Sequence, residues 1–215
     1  MTGTAYCCDV AIVGAGPAGM AAACVLAQSG RDVVVLDEQG APGGQVYRAI
    51  DRVFVDRPED VQALGKDYAV GRTLTRRFQE SGARYRPGVS VWQITSDQEP
   101  ELALGLIEQG SAQMLYPKHI ILATGAMERP APFEGWTLPG VMTVGAAQTL
   151  LKSSRLLPRE DVVLAGTGPL LYLYARQLKN LRVKPQAILD TGHSLSLRTA
   201  LLGLHALIAC PEAML

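Results

Sequence analysis

The chain has 215 residues and a mass of 23.0 kDa, which suits one domain of ordinary size, or one domain and part of a second. Lys and Arg total 20, as do Asp and Glu, and this zero net charge excludes the basic surface typical of nucleic-acid-binding proteins. With 48% hydrophobic and 19% charged residues, an intrinsically disordered chain is excluded as well. The 4 cysteines and 3 histidines have no metal-ligand spacing, so we expect no metal site.

An uncharged stretch from Val10 to Ala27 reaches the length of a membrane-spanning helix. A turn rich in glycine and proline, Gly14–Gly19, interrupts it, and no basic residue precedes it in Met1–Tyr6. We therefore interpret the stretch as a strand, a turn and a buried helix, and expect a cytoplasmic protein without a membrane span.

The first elements in chain order form a strand–helix–strand unit around a Gly-x-Gly-x-x-Gly motif. A buried strand, Asp9–Val13, runs into the turn Gly14–Gly19, and a helix follows over Met20–Gln28. A second apolar strand spans Val33–Leu36 and ends at two acidic residues. This order of elements predicts a dinucleotide-binding unit.

Each residue of the turn has a physical role in holding a pyrophosphate. Gly14 permits the tight turn, Gly16 lets the phosphates approach the backbone, and Gly19 allows the helix to pack closely on the strand. Pro17 and Ala18 open the helix, where the missing N–H of proline costs nothing and the free N–H groups attract phosphate.

Two acidic residues, Asp37 and Glu38, end the second strand. Asp37 lies 18 residues after Gly19, where a carboxylate accepts hydrogen bonds from ribose hydroxyls and disfavours a 2′-phosphate. The predicted ligand is therefore FAD or NAD rather than NADP. The alternative is a plain glycine turn in another strand–helix–strand fold.

A second glycine-rich loop, Gly40–Arg48, follows the acidic residues. Its backbone N–H groups can lie along an extended cofactor, with Gly44, Gln45 and Arg48 as candidate contacts; the alternative is a surface turn. One helix is predicted over about Asp60–Ser81. Its predicted buried positions are Leu64, Tyr68, Leu74 and Phe78.

A local basic stretch lies in and after this helix. We interpret it as a solvated helix face, with a docking surface for an acidic partner as the alternative. The stretch consists of Arg72, Arg76, Arg77, Arg84 and Arg86.

Three short strands, Val89–Ile94, Leu102–Ile107 and Ala112–Tyr116, predict a β-meander inserted into the sheet. Another buried strand, His119–Ala123, follows and leads into Thr124-Gly125. The predicted fold class is α/β: a Rossmann-like domain over residues 1–150 with an inserted β-meander, then an incomplete second Rossmann-like domain over 151–215.

The glycine motif recurs about 150 residues later, at Gly166–Leu171. A strand over Asp161–Ala165 precedes it, and a helix through Gln177 and a strand over Gln186–Leu189 follow. Leu171 replaces the third glycine, and its branched side chain is predicted to push the helix off the strand. We therefore expect that this second unit does not accept NADH.

The order of glycine motif, acid, GGQ loop, meander and Ala-Thr-Gly resembles that of flavoproteins with two dinucleotide-binding domains. In those proteins the first domain binds FAD. The resemblance implies that Ala123, Thr124 and Gly125 lie near the cofactor, and that Val89 offers backbone contacts to the adenine.

Three segments resemble one group of these flavoproteins more specifically: Gly43–Arg48, Ala123–Lys152 and Ala165–Leu178. They are similar to the larger subunit of opine oxidase, to one of the hydrogen cyanide synthase subunits and to the hydroxyproline dehydrogenase subunits. The resemblance covers the N-terminal half of such a family member. It implies oxidation of an amine, opine or amino acid next to nitrogen, with electrons passing through FAD to a partner subunit or quinone. It implies no catalytic residue, because the substrate can be oxidised on the partner.

Two other interpretations stay open. Family members continue past the position of Leu215 and complete the second domain, so the chain is alternatively a truncated, inactive remnant or a partner-binding scaffold. The apolar segment Ala200–Leu215 would then make it self-associate. A disulfide reductase of the thioredoxin-reductase type would need a Cys-x-x-Cys, which the sequence lacks.

Overall fold

The computed structural model describes residues 6–96, 102–159 and 161–192. It divides into two compact units, Met1–Leu157 and Pro158–Leu215. Some sequence features lie outside the described residues. They are the turn at Asp97–Pro100, His193, His205 and the apolar segment Ala200–Leu215.

The first unit contains six strands and five helices within the described residues. The strands are β1 (Tyr6–Val13), β2 (Val33–Asp37), β3 (Arg84–Pro87), β4 (Val89–Thr95), β5 (Ala103–Glu108) and β6 (Ser111–Leu122). The helices are α1 (Pro17–Gln28), α2 (Ile50–Asp56), α3 (Pro58–Leu64), α4 (Lys66–Gln79) and α5 (Val144–Ser154).

The six strands form one sheet in the order β3-β2-β1-β6-β5-β4. β3, β2, β1 and β6 run parallel, whereas β5 and β4 continue the sheet antiparallel. Val33–Leu36 of β2 are all buried, as expected for a parallel strand that is covered on both faces. The predicted α/β class, a Rossmann-like sheet with an antiparallel meander, is confirmed.

The meander joins the parallel sheet through a single strand, β6. Residues Ser111–Leu115 pair antiparallel with β5, and Leu115–Leu122 pair parallel with β1. The prediction of two separate strands, Ala112–Tyr116 and His119–Ala123, is therefore wrong. One long strand belongs to both parts of the sheet, because its two halves find different neighbours.

The core lies on both faces of β1 and β2, since successive residues of a strand point to opposite faces. One cluster places Met20 and Ala23 of α1 and Phe78 of α4 against Ile12 and Val35. The cluster on the other face joins β1 and β2 to the meander. Its buried members are Cys8, Ala11, Val34, Leu36, Val89, Leu104, Leu106 and Leu115.

The prediction of one helix over about Asp60–Ser81 is wrong, because the helical conformation is interrupted at Gly65. Gly65 has φ +99, a conformation that favours glycine, and it separates α3 from α4. The buried positions agree better with the prediction. Leu64, Tyr68 and Phe78 are buried, while Leu74 is half-buried.

The basic stretch is not one helix face, because Arg84 and Arg86 lie in β3, a strand that the sequence interpretation missed. Arg84 pairs with Asp32 at 2.7 Å, and Arg86 pairs with Glu108 of the meander at 2.5 Å. Two of the five arginines therefore fasten β3 to its neighbours.

The second unit contains β7 (Val163–Gly166), α6 (Pro169–Asn180) and β8 (Ala187–Asp190) within the described residues. β7 and β8 pair in parallel, so this segment is a strand–helix–strand unit as predicted. No helix in the described ranges is both long and apolar enough to cross a membrane.

Candidate functional site

The turn between β1 and α1 is too tight for side chains at two of its glycines. A Cβ at Gly14, which has φ +103, would lie 2.3 Å from the Ala123 carbonyl oxygen. A Cβ at Gly19 would lie 1.9 Å from the Gly14 carbonyl oxygen. Neighbouring backbone therefore lies against this turn on two sides, and the absence of a side chain at Gly19 lets α1 start close to the end of β1.

Gly16 differs from the other two glycines, because a Cβ there would meet only the Gly44 Cα, at 4.0 Å. Gly16 is also the N-cap of α1, where no side chain caps the helix and no acidic residue occupies the first turn. Pro17 holds the first helical position and has no N–H to satisfy. The N–H groups of Ala18 and Gly19 come next, point out of the helix start and can receive an anion, whereas the Met20 N–H already donates to the Gly16 carbonyl oxygen at 2.9 Å.

The glycine-rich loop lies directly against this turn. The Gly43 N–H donates to the Ala15 carbonyl oxygen at 2.8 Å. Gly44 has φ +58, and a Cβ there would lie 2.9 Å from the Gly16 Cα. The structure thus brings Gly16 and Gly44 together, although the two residues lie in separate loops.

Asp37 is fastened to the same turn through both of its carboxylate oxygens. Oδ2 accepts the Ala15 N–H at 2.6 Å, and Oδ1 accepts the Gln39 N–H at 2.7 Å. Each carboxylate oxygen has two lone pairs, so both can still accept a ribose hydroxyl. Glu38, the neighbouring acid, is exposed.

Two further candidates lie around the segment that follows Asp37. Arg48 donates from Nη1 to Gln39 Oε1 at 2.5 Å, while its buried Nε has no hydrogen-bond partner among the described residues. The Gly88 N–H donates to the Gln39 carbonyl oxygen at 3.3 Å and so brings the start of β4 to this segment. Val89 follows with its side chain buried in the core, which leaves only its backbone for a ligand.

The Ala-Thr-Gly segment after β6 covers the turn. The Ala123 N–H donates to the Val13 carbonyl oxygen at 2.8 Å, and this bond holds the Ala123 carbonyl beside Gly14. Thr124 and Gly125 continue from there and are exposed. Gly125 has φ +79 and open space on its Cβ side. The predicted segment therefore meets the first glycine of the turn.

Lys152 of α5 belongs to the site, and the sequence interpretation gave it no role. Its side chain is only 4% exposed. The ammonium donates to the carbonyl oxygens of Gln45 at 3.1 Å and Val46 at 3.0 Å, and to Gln148 Oε1 at 2.9 Å. Burial, with Arg48 nearby, lowers the pKa of Lys152 to about 8. The only sequence signal was a lysine four residues after a glutamine.

The second glycine turn is built differently from the first. A Cβ at Gly166 or Gly168 would meet no atom within 4 Å. Leu171, at the third position of the motif, is buried in this unit. Asp190, at the end of β8, accepts the Gly192 N–H at 2.8 Å and the Tyr172 hydroxyl at 2.5 Å, a pattern that lowers the pKa of Asp190.

The geometry agrees with three comparisons. A family model described as pyridine nucleotide-disulphide oxidoreductase matches residues 8–196. An opine oxidase subunit of Rhizobium meliloti is 47% identical over 190 residues, 86% of this chain and 36% of that protein. The hydrogen cyanide synthase subunit HcnB of Pseudomonas aeruginosa is 40% identical over 168 residues, 78% of this chain and 35% of that protein. The predicted resemblance is confirmed, and the chain spans about a third of these relatives.

A solved structure extends the comparison to the fold. L-proline dehydrogenase from P. horikoshii has a TM-score of 0.68 at 22% identity, over 89% of this chain and 37% of that one. At this identity the similarity shows the fold alone.

Proposed function

Because the chain belongs to the pyridine nucleotide-disulphide oxidoreductase family, we propose that it is the FAD-binding part of a subunit that oxidises an amine, opine or amino acid. The prediction of an FAD-dependent oxidoreductase is confirmed at the level of the family. The substrate class is supported by the relatives, one of which is named for opine oxidation.

The meeting of Gly16 and Gly44 at the uncapped start of α1 carries this proposal. A pyrophosphate needs backbone without side chains and free N–H groups, and both are present here. The structure therefore fits the dinucleotide. We assign the pyrophosphate to Gly14, Gly16, Ala18 and Gly19, with Gly44 on the opposite side.

The other candidates are assigned to the remaining parts of the dinucleotide. Asp37 accepts the ribose hydroxyls with its free lone pairs. The backbone of Val89 meets the adenine, since Gly88 is bonded to the segment after Asp37. We assign Gln45, Arg48 and the Ala123–Gly125 segment to the part of FAD between the pyrophosphate and the flavin ring.

When bound, FAD accepts a hydride from the substrate carbon next to nitrogen. The residues of this chain hold and orient the cofactor, and none of the described side chains is assigned as a catalytic acid or base. We place the electron acceptor in a partner subunit or quinone, because the relatives are named as subunits. The second unit is proposed not to accept NADH.

A cofactor titration tests this proposal. We expect the purified chain to bind FAD, measured by flavin fluorescence and calorimetry, and to prefer it to NADP. NADH added without oxygen should leave the flavin absorption band unchanged. Tighter binding of NADP would overturn the assignment, and a chain that binds neither dinucleotide would support the inactive remnant.

Gly16→Val tests whether the glycine turn is the site. A valine side chain would occupy the open space beside Gly44, so we expect FAD binding to be lost while the melting temperature changes little. Gln28→Val is the matched control, because Gln28 is exposed and would carry the same new side chain at the far end of α1. A Gly16→Val variant that purifies with stoichiometric FAD would place the cofactor elsewhere.

A further inference from the structure

The ammonium of Lys152 is buried and faces neutral oxygen atoms. Its three donors are matched by three acceptors, the carbonyls of Gln45 and Val46 and the side chain of Gln148. The ring of Tyr68 lies below it, with the ammonium 5.7 Å from the ring centroid. Burying a charge costs free energy, so the burial of Lys152 indicates a function that accounts for this cost.

The backbone that carries Lys152 is fixed by a second cation. Arg57 donates from Nη2 to the Lys152 carbonyl oxygen at 2.6 Å and from Nη1 to that of Leu151 at 3.3 Å. Arg57 is itself held by buried Asp60 at 3.5 Å, and Asp60 also pairs with Arg155 at 3.3 Å. The end of α5 is thereby fastened to α3, and the base of the lysine side chain has little freedom.

The two carbonyls that Lys152 binds determine how the loop presents its amides. A peptide unit is planar, with its C=O and N–H on opposite sides. When the Gln45 carbonyl points to Lys152, the Val46 N–H must point away from it. Among the described residues, the N–H groups of Gly44, Gln45 and Val46 have no hydrogen-bond partner.

Both ends of the same loop are already anchored. The Tyr68 hydroxyl donates to the Arg48 carbonyl oxygen at 2.8 Å, and the Gly43 N–H donates to Ala15. Tyr47 packs so closely on Gly71 that a Cβ at Gly71 would lie 2.2 Å from the ring. The middle of the loop, Gln45 and Val46, is exposed and depends on Lys152.

We propose that Lys152 is a positioning residue for the cofactor: its ammonium holds the Gln45 and Val46 carbonyls so that the loop's free amide groups are presented to FAD beside Gly16. This rests on the proposed function, since FAD is the ligand to which the loop is presented. The contact joins residues 107 positions apart, so α5 and the loop form one site.

The same geometry argues against Lys152 as a general base. Its lowered pKa would suit that task. However, the side chain is 4% exposed, and all three donors are directed at protein oxygens. A substrate would have no access to the amine without breaking the loop contacts.

Hydrogen exchange of the cofactor-free protein tests the proposal directly. Lys152→Met keeps an unbranched apolar stem but removes the donors. Of the amides in residues 43–48, those of Gly43 and Tyr47 are protected by hydrogen bonds in the wild type. We expect their exchange to rise about ten- to a hundredfold, the range for losing hydrogen bonds to a charged group, with exchange in the sheet unchanged. Lys66→Met is the control, because Lys66 is an exposed lysine at the start of α4.

The second readout is the bound flavin. We expect Lys152→Met to weaken FAD binding about tenfold and to change the visible circular dichroism at saturating FAD, whereas Lys66→Met should alter neither. Gln148→Met leaves the ammonium in place and should raise exchange in residues 43–48 by a smaller factor, which keeps the test available if Lys152→Met does not fold.

The outcomes separate this inference from the proposed function. Unchanged exchange in residues 43–48 of Lys152→Met, or an equal rise throughout the sheet, would overturn the positioning role whether or not FAD binds. A second outcome is that Lys152→Met loosens that loop locally while the wild-type protein binds no FAD. This result would overturn the proposed function, and with it the ligand named here, but not the control of the loop by Lys152. Local loosening with unchanged FAD affinity and circular dichroism would show that the loop does not hold FAD and would overturn the proposal.

Discussion

The two glycine turns of this chain have similar sequences and different surroundings. In the first, a Cβ at Gly19 would lie 1.9 Å from the Gly14 carbonyl oxygen, and Ala123 presses on Gly14 from the other side. In the second, Gly166 and Gly168 have open space on their Cβ sides, and a buried leucine stands at the third position. The first turn is enclosed by the protein, and the second is not enclosed within the described residues.

The acids at the ends of the second strands differ in the same way. Asp37 accepts the Ala15 N–H and so stiffens the turn that it follows. Asp190 instead binds the Tyr172 hydroxyl on the helix, so its carboxylate does not brace the second turn. The comparison teaches that a glycine motif becomes a binding site through the loops and acids packed round it.

The largest effect is expected when the first turn receives a leucine at its third motif position, as the second turn has at Leu171. Gly19→Leu would force α1 off β1, because even a Cβ collides with the Gly14 carbonyl. We expect a loss of about 3 kcal/mol or more in the free energy of unfolding, and no FAD binding. Chemical denaturation and flavin retention measure these two effects.

The mirror substitution, Leu171→Gly, is the control for that prediction. It removes a buried side chain and should destabilise the second unit by roughly 2–5 kcal/mol. FAD binding to the first turn should be unaffected. A stable, FAD-binding Gly19→Leu variant would show that the two turns tolerate the same residue, and the comparison would fail.

A smaller effect is expected from the two acids. Asp37→Asn should weaken FAD binding about ten- to a hundredfold, because an amide has one acceptor oxygen where the carboxylate has two. Asp190→Asn should leave FAD affinity unchanged, since Asp190 lies in the second unit and binds Tyr172 and Gly192 there. Calorimetric titration of both variants with FAD measures these affinities. An equal loss of FAD affinity in the two variants would contradict separate roles for the two acids.

The smallest effect is a pH dependence that belongs to the first unit alone. Burial lowers the pKa of Lys152 to about 8, below the usual value of 10.5, so above pH 8 the unfolded chain binds more protons than the folded one. The free energy of unfolding should therefore rise with pH from about 8, by at most ~1.4 kcal/mol per pH unit. Below pH 8 the cost of the buried charge is present in full.

Burial raises the pKa of Cys8 to about 11 from 9.0, which acts in the opposite direction above pH 9. The slope is best measured between pH 8 and 9, with Lys152→Met as the variant that should lose it. Equal slopes in the wild type and the variant would contradict the prediction.

Much of the first unit could be predicted because its signals are local. The strand, turn, helix and acid from Asp9 to Asp37 follow one another in the sequence, and the structure places them as expected. The roles of the individual cofactor contacts, from Gly44 and Arg48 to Thr124, stay predictions until a titration is done.

The features that the sequence did not predict depend on distant neighbours. β6 is one strand because its two halves pair with β5 and β1, and this choice is invisible in its own residues. The break at Gly65 has a local signal, a glycine inside a helical pattern, but such a glycine is also tolerated inside continuous helices. Lys152 could not be assigned, because its partners, Gln45 and Val46, come more than a hundred positions earlier.

The pairing of β1 with β6 has a consequence for the order of folding. β1 begins at Tyr6, but its second neighbour is complete only at Leu122, so the centre of the sheet waits for more than half of the chain to be synthesised. Contacts of such long sequence separation slow folding, because the intervening chain must be closed first. Ala123 reaches Gly14 only with that last pairing, so the first glycine turn is enclosed late in synthesis. We therefore expect nascent chains that end before Leu122 to be unable to capture FAD.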